Sequence, residues 1–348
     1  MVDGRRTDDC KYWSIKLCEM EVIDSMNKMK RLEKLEGFGN VQMMETDIPS
    51  PEPHEVMIKV NRSLISRGSE LFMRYVMPEA IHPNRMGYSD AGQVVAIGNQ
   101  VREVMVGDRS NVSGPHAQYV VGNHGDIPEA MDYETATFIG LATSTVTWMR
   151  TTPIEPGDDV VVLGQGIVGN LYMQAVRERN PGRVITVDAE KLRCDISRQC
   201  GADIVIDVSE TNSVEAVKEL TQGRGADVVV ECVGGFAGIK SFEQAQLMLK
   251  GGGVLHLISL YQNSEKNPGD GVLPLHTRTM MGKMLIAGSR NVSREESRVA
   301  AVDMLLDGRI NVGPLITHRL PWTETAEAYH MLYNNPEEAL AVILEWDE

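Results

Sequence analysis

The stretch VVVLGQGIVGN at 160–170, followed by VITVD at 184–188, constrains this chain more than any other. An apolar run stops at Gly164, glycines 164, 166 and 169 stand at GxGxxG spacing, and a second β-branched run ends in a carboxylate, Asp188. The three glycines serve different ends. Gly164 permits a tight strand-to-helix turn, Gly166 lets backbone N–H groups approach a pyrophosphate, and Gly169 lets the helix pack closely on its strand. The diphosphate then rests on the positive end of a helix whose first residues are Ile167 and Val168. Asp188, close to the roughly 20 residues expected after the turn, accepts hydrogen bonds from the adenosine ribose hydroxyls. Its charge repels a 2′-phosphate, so the pattern predicts an NAD(H) site.

Further short β-branched runs alternate with helical patterns: DIVIDV at 203–208, DVVVECV at 227–233, GVLHLISL at 253–260 and MLIAG at 284–288. Their continuous apolarity predicts strands covered on both faces, hence a doubly wound parallel sheet in an α/β protein. The segment 41–121 differs. EVMIKV, AGQVVAIG, DRSNV and AQYVVG are short strands broken by proline, glycine and acidic turns, which predicts an irregular antiparallel barrel-like domain. A helical bridge over 133–151 is expected between the two. After Gly288 the pattern predicts a helix over 294–306, a strand LITHRL, a helix over 324–333 and a last strand LAVILEW, folding back onto the first domain.

Bulk properties bound the partners. A net charge of −15 argues against nucleic acid and anionic membranes. Five cysteines, odd in number and without a C-x-x-C pair, indicate neither a disulfide framework nor a clustered zinc site. No stretch approaches the ~20 apolar residues of a membrane span, and the first 28 residues lack the apolar core of a signal peptide. The expectation is a cytoplasmic protein with a small-molecule substrate.

The order of motifs resembles the medium-chain dehydrogenase/reductase superfamily. The residues that carry the resemblance are PSPEPHEVMIKV, GYSDAGQVVAIGNQV, VGDR, AQYVV, EPGDDVVVLGQGIVGN and GRINVGPLITHRLPWTETAEAY. The resemblance implies a Rossmann doubly wound sheet inserted into a GroES-like antiparallel β-barrel catalytic domain, with the active site between them. It divides the chain into an extension at 1–28, a catalytic domain at 29–140, an NAD-binding domain at 141–289 and a return to the catalytic domain at 290–348. It also implies a homodimer or homotetramer paired through the last nucleotide-domain strand, 284–288, and it places Thr143 and Val233 at the nicotinamide and Arg193 at the adenosine ribose.

The departures bear on chemistry. Where zinc-dependent members carry Cys before Gly-Thr/Ser-Asp, this chain reads Arg67, Gly68, Ser69, Glu70; where they carry Gly-His-Glu it reads Gly87, Tyr88, Ser89. The third ligand falls near residues 139–141, which offer no Cys, His, Asp or Glu, and the eight histidines show no i, i+4 pair. Catalytic zinc needs three converging side chains, so no metal is expected. Arg67, a permanent cation, then becomes the candidate electrophile, Ser69 the relay, and Tyr88 a proton donor or acceptor if a neighbouring cation such as Arg67 lowers its pKa. The structural alternatives are that Arg67 pairs with Glu70 or Asp90, Tyr88 fills the space left by the metal, and Ser69 caps a turn. Three functions follow: a zinc-independent NAD-dependent dehydrogenase of a secondary alcohol such as a polyol, cyclitol or sugar derivative; an NAD(P)H-dependent quinone or enoyl reductase; or an inactive nucleotide-binding redox sensor.

Overall fold

The six apolar runs form a single sheet in the computed structural model, which describes residues 28–262 and 271–347. Its strands are β7 (Asp159–Leu163), β8 (Arg183–Asp188), β9 (Ile204–Asp207), β10 (Ala226–Glu231), β11 (Leu249–Leu257) and β12 (Met284–Ala287). They run in the order β12-β11-β10-β7-β8-β9, every neighbouring pair parallel. Alternate residues of β7 explain why these strands carry no polar face: Val160 and Val162 enter one apolar cluster, Val161 and Leu163 another on the opposite side. The strand order reverses between β7 and β10. That switch point opens a crevice at the carboxyl ends of the strands.

A second sheet holds β3 (Val56–Ile65), β4 (Asp90–Ile97), β5 (Arg109–Val112), β6 (Tyr119–Gly122), β13 (Ile316–Pro321) and β14 (Ala341–Glu345). Its order is β13-β14-β3-β4-β5, with β6 also on β3. The last strand therefore lies beside one of the first, Val342 opposite Ile65 and Leu344 opposite Ser63. A hairpin of β1 (Lys28–Lys34) and β2 (Val41–Asp47) completes this half. The architecture is the expected α/β combination of a Rossmann sheet with an antiparallel β-domain.

Several elements differ from the sequence expectation. The bridge is two helices, Tyr133–Thr137 and Ile139–Thr151; Asp132 caps the first by accepting from the Thr135 N–H at 2.7 Å. The hairpin strand β1 was not foreseen, and a short helix Arg67–Glu70 runs directly into a π-turn, Leu71–Tyr75. π-turns are rare and concentrate at functional sites. The expected leader lies outside the described residues except for Lys28, as do Cys10 and Cys18. Among the described residues no helix is long and apolar enough to cross a membrane.

Candidate active site

Two of the three glycines in the turn after β7 are demanded by the protein itself. Gly164 holds φ at +84°, and a Cβ there would stand 2.9 Å from the Val233 nitrogen. A Cβ on Gly169 would overlap the Gly164 carbonyl oxygen. Gly166 is different: it has no positive φ, and a Cβ there would meet nothing within 4 Å. It precedes helix Ile167–Ala175, whose first-turn N–H groups have no partner within the helix. The one glycine without an internal reason is therefore the one whose bareness suits an approaching diphosphate.

Asp188 ends β8 almost fully buried. Its Oδ2 accepts the Gln165 N–H at 2.6 Å and its Oδ1 the Glu190 N–H at 2.9 Å, so the carboxylate ties the turn to the next loop. An ionised carboxylate has about four acceptor positions, which leaves two for ribose hydroxyls. Arg193 approaches it at 3.8 Å, and the Arg193 Nε is buried without a hydrogen-bond partner. Val233 is partly exposed at the end of β10, its N–H held by Glu231 at 3.0 Å. Thr143 is buried and spends its hydroxyl proton on the Ile139 carbonyl at 2.7 Å, so toward a cofactor it can only accept.

The antiparallel half supplies the other wall. Arg67 donates from Nε to the Leu332 carbonyl at 2.9 Å and lies 5.4 Å over the Phe72 ring. Burial, and then the like charge of Arg193, push its guanidinium down to about 10, with Glu190 and Asp188 opposing. Its charged neighbours thus belong to the dinucleotide half of the cleft. Neither Glu70 nor Asp90 pairs with it: Glu70 accepts from Ser66, His116 and Tyr329, and Asp90 from the Gly114 N–H at 3.2 Å.

Ser69 and Tyr88 do meet, the Tyr88 hydroxyl 3.4 Å from Ser69 Oγ. The expected activation of Tyr88 by Arg67 is corrected on two counts. The cation over the Tyr88 ring is Arg74, at 5.5 Å, and the phenol is shifted upward, by burial first and the Glu70 charge second. Tyr88 is a protonated phenol at neutral pH.

Sequence reasoning missed the buried polar groups behind this pair. His116 bonds Glu70 at 3.1 Å and Ser63 at 2.9 Å, while Asp90 Oδ1 and Ser89 Oγ are buried and unpartnered. Burial pushes the Asp90 carboxyl well above the usual range. These partners lie tens of residues apart, and no local pattern signals them. Among the described residues no group of three or more His, Cys, Asp or Glu side chains is placed to hold a metal ion.

A Rossmann sheet with a phosphate-ready turn at its switch point, walled by an antiparallel β-domain, defines a two-domain dehydrogenase architecture. The chain matches the family described as zinc-binding dehydrogenase over residues 168–306. It is similar to the sorbitol dehydrogenase of Halalkalibacterium halodurans, 26% identical over an alignment of 352 positions that covers 91% of this chain and 99% of that protein. It is also similar to the L-threonine 3-dehydrogenase of Pyrococcus horikoshii, 26% identical over 321 residues, covering 81% and 88%. An Escherichia coli oxidoreductase/dehydrogenase of unknown specificity shares the fold with a TM-score of 0.79 at 20% identity, over 91% of this chain and 99% of that one. Its nucleotide-binding half thus matches the zinc-binding dehydrogenase family, and over most of its length the chain is similar to sorbitol and threonine dehydrogenases.

Proposed function

We propose that this protein is an NAD-dependent oxidoreductase that moves hydride between nicotinamide and a secondary alcohol or ketone without zinc. The open space above Gly166, beside an Asp188 with acceptor capacity to spare, is the observation that carries the cofactor reading. The sorbitol and threonine dehydrogenases it resembles support a CH–OH substrate, a polyol, cyclitol or sugar derivative among them.

When bound, the nicotinamide supplies the hydride acceptor or donor. The chain supplies the rest. Gly164, Gly166, Ile167, Val168 and Gly169 would seat the diphosphate, Asp188 and Arg193 would hold the ribose, and Thr143 and Val233 would lie at the nicotinamide. Tyr88, protonated and 3.4 Å from Ser69, donates a proton to a carbonyl oxygen in the reductive direction. Ser69 connects it to the cleft, and Arg67 stabilises developing negative charge. The positions where relatives of this type bind zinc hold Arg67, Tyr88 and Ser89, whose donor set does not suit the metal.

The partner chemistry is a small molecule, in the cytoplasm. A second copy is the proposed assembly: β12 is the outer strand of its sheet and leaves Met284 and Leu285 half exposed with Met281 79% exposed beside them. A concentration-independent monomer by light scattering would refute that pairing.

The experiment that tests the function is an activity screen, NAD⁺ with polyols and cyclitols against NADH or NADPH with quinones and enones, alongside metal analysis. Turnover in the first arm, far less than one zinc per chain and indifference to chelators are expected. Stoichiometric zinc with chelator-sensitive turnover sinks the metal-free reading, turnover confined to the second arm makes the protein a reductase, and cofactor binding with no turnover makes it a sensor.

A further inference from the structure

The fully buried residue His116 is attached to both sides of the Tyr88–Ser69 contact. On one side, its Nε2 lies 3.1 Å from Glu70 Oε2, the oxygen that also accepts the Tyr329 hydroxyl. Glu70 Oε1 in turn accepts the Ser66 N–H at 2.8 Å, while the Glu70 N–H returns to the Ser66 carbonyl at 3.0 Å. The 66–70 turn, which presents Arg67 and Ser69, is thus closed upon a carboxylate that His116 holds. On the other side, the His116 N–H donates to the Met86 carbonyl at 2.7 Å, and a Cβ on Gly87 would stand 2.6 Å from the His116 nitrogen. Gly87, at φ +118°, is bare because the segment leading into Tyr88 crosses directly over His116.

We propose that His116, acting through Glu70, is the positioning residue that sets Ser69 against Tyr88. This rests on the reading of those two residues as the proton path. The frame around His116 is over-determined: Ser63 Oγ meets Nδ1 at 2.9 Å and accepts the Trp346 indole N–H at 3.0 Å, so β3 and the end of the chain also fix the ring. An ionised Glu70 can only accept, so Nε2 is the protonated nitrogen facing it. Packing alone does not call for such a pair, because apolar residues of similar volume commonly serve a buried site as well or better. The pair does what apolar residues cannot, anchoring a backbone N–H and a charge-bearing turn at fixed atoms.

The charged and titratable groups facing Glu70 are His116 from the loop before β6, Tyr329 from helix Thr325–Asn334, and Tyr88 and Asp90 at the start of β4, with Arg74 behind Tyr329. Burial opposes ionisation of Glu70, but His116 and the bonds from Tyr329 and Ser66 outweigh it. With glutamine in place of His116, the imidazole's charge is lost, burial is opposed chiefly by the bonds from Tyr329 and Ser66, and the Glu70 carboxyl moves upward, taking up its proton at a higher pH than in wild type.

The test is hydrogen exchange of the full-length protein, followed by mass spectrometry of peptides spanning 64–72 and 226–233, in wild type, His116→Gln, Glu70→Gln and the double variant. In His116→Gln, the 64–72 peptide is expected to exchange about tenfold faster at pH 6 than at pH 8 after correction for intrinsic rates. Wild type, Glu70→Gln and the double variant are expected to show no such pH dependence, since the first keeps Glu70 ionised and the others lack the carboxylate. The peptide at 226–233 should not change in any variant. Exchange in His116→Gln that matches wild type at both pH values overturns the proposal, and so does acceleration equal in both peptides and indifferent to pH, which marks a merely structural role. NADH titration of the wild type separates the two readings: failure to bind NADH overturns the proposed function, while the exchange result still decides the role of His116.

Discussion

Gly166 and Gly169 differ by three positions and should fail in opposite ways. At Gly169 an added Cβ overlaps the Gly164 carbonyl oxygen, backbone that cannot swing aside, so Gly169→Ala is an overpacking change between strand and helix. Such changes cost about 1–3 kcal/mol or more; at the top of that range a nucleotide-binding half of this size loses roughly 6 °C or more in Tm. At Gly166 the added methyl meets nothing within 4 Å and the backbone already has a conformation open to alanine. Alanine in place of a glycine N-cap costs roughly 0.5–1 kcal/mol, and the reduced freedom of the unfolded chain returns about 0.4–1 kcal/mol. Gly166→Ala should therefore keep its Tm within about 1 °C. A methyl in the space reserved for the diphosphate should nevertheless weaken NADH at least about tenfold, or 1.4 kcal/mol. Differential scanning fluorimetry and NADH fluorescence titration read the two quantities on the same samples. Unaltered NADH affinity in Gly166→Ala would show that the open space is not where the cofactor lies, and a collapsed Tm in that variant would show that it is not open.

Asp188→Asn keeps the acceptor facing the Gln165 and Glu190 amides partly intact while removing the charge, so a preference for NADH over NADPH of about tenfold or more in wild type should shrink toward unity; equal affinities in wild type refute the argument from charge. Arg67→Ala should lower turnover about a hundredfold, the scale for one lost electrophilic donor, and Arg67→Lys should not restore it; because Arg67 faces Arg193 and Asp188, cofactor affinity should fall as well, and near-normal turnover would make the arginine structural. Glu231 supplies a pH test. Burial raises its carboxyl from 4.5 to about 6, so the folded state binds its proton more tightly than the unfolded chain does, and its contribution to stability falls as pH rises from about 4.5 to about 6. Scanning calorimetry should therefore find the Tm of Glu231→Gln gaining on wild type across that window and holding the gain above it; a constant offset would place the titration elsewhere.

What could be read from sequence alone was whatever a local period or a single backbone demand encodes. The helix Arg294–Leu306 falls where its apolar spacing and Ser293 cap put it, and β8 ends at Asp188 because a strand covered on both faces must stop where the first carboxylate can reach the turn. β1 is not legible in sequence because the only apolar residues of KMKRLEK, Met29 and Leu32, stand three apart rather than two, and the third buried residue is a lysine, Lys34. The bridge broke at Phe138 through tertiary packing of a fully buried ring, which helix propensity does not encode.

The site divides the same way, and the division has a physical cause. Gly164 and Gly169 are legible because they answer to steric demands within a few residues, whereas Tyr88 misleads, since its proton affinity is set by burial and by Glu70, neither visible in the run GYSDAG. A cation in the neighbouring motif suggested an acidified phenol. The fold turns that cation toward Asp188 and Arg193 and brings Arg74, from the unforeseen π-turn, over the ring in its place. The direction of the Tyr88 shift is therefore set by burial and the Glu70 charge, which outweigh the opposing Arg74, and Glu70 is itself held by His116, from a distant part of the sequence. A tyrosine kept protonated in this way acts as a donor near neutral pH and as a base only under alkaline conditions. Carbonyl reduction should accordingly lose rate only when the phenol itself ionises, above the ordinary tyrosine value of about 10, and Tyr88→Phe should abolish that alkaline limb while lowering the plateau. A limb near pH 7 that vanishes with Tyr88→Phe would mean that the phenol is acidified after all, and that a cation other than Arg67 or Arg74 reaches it.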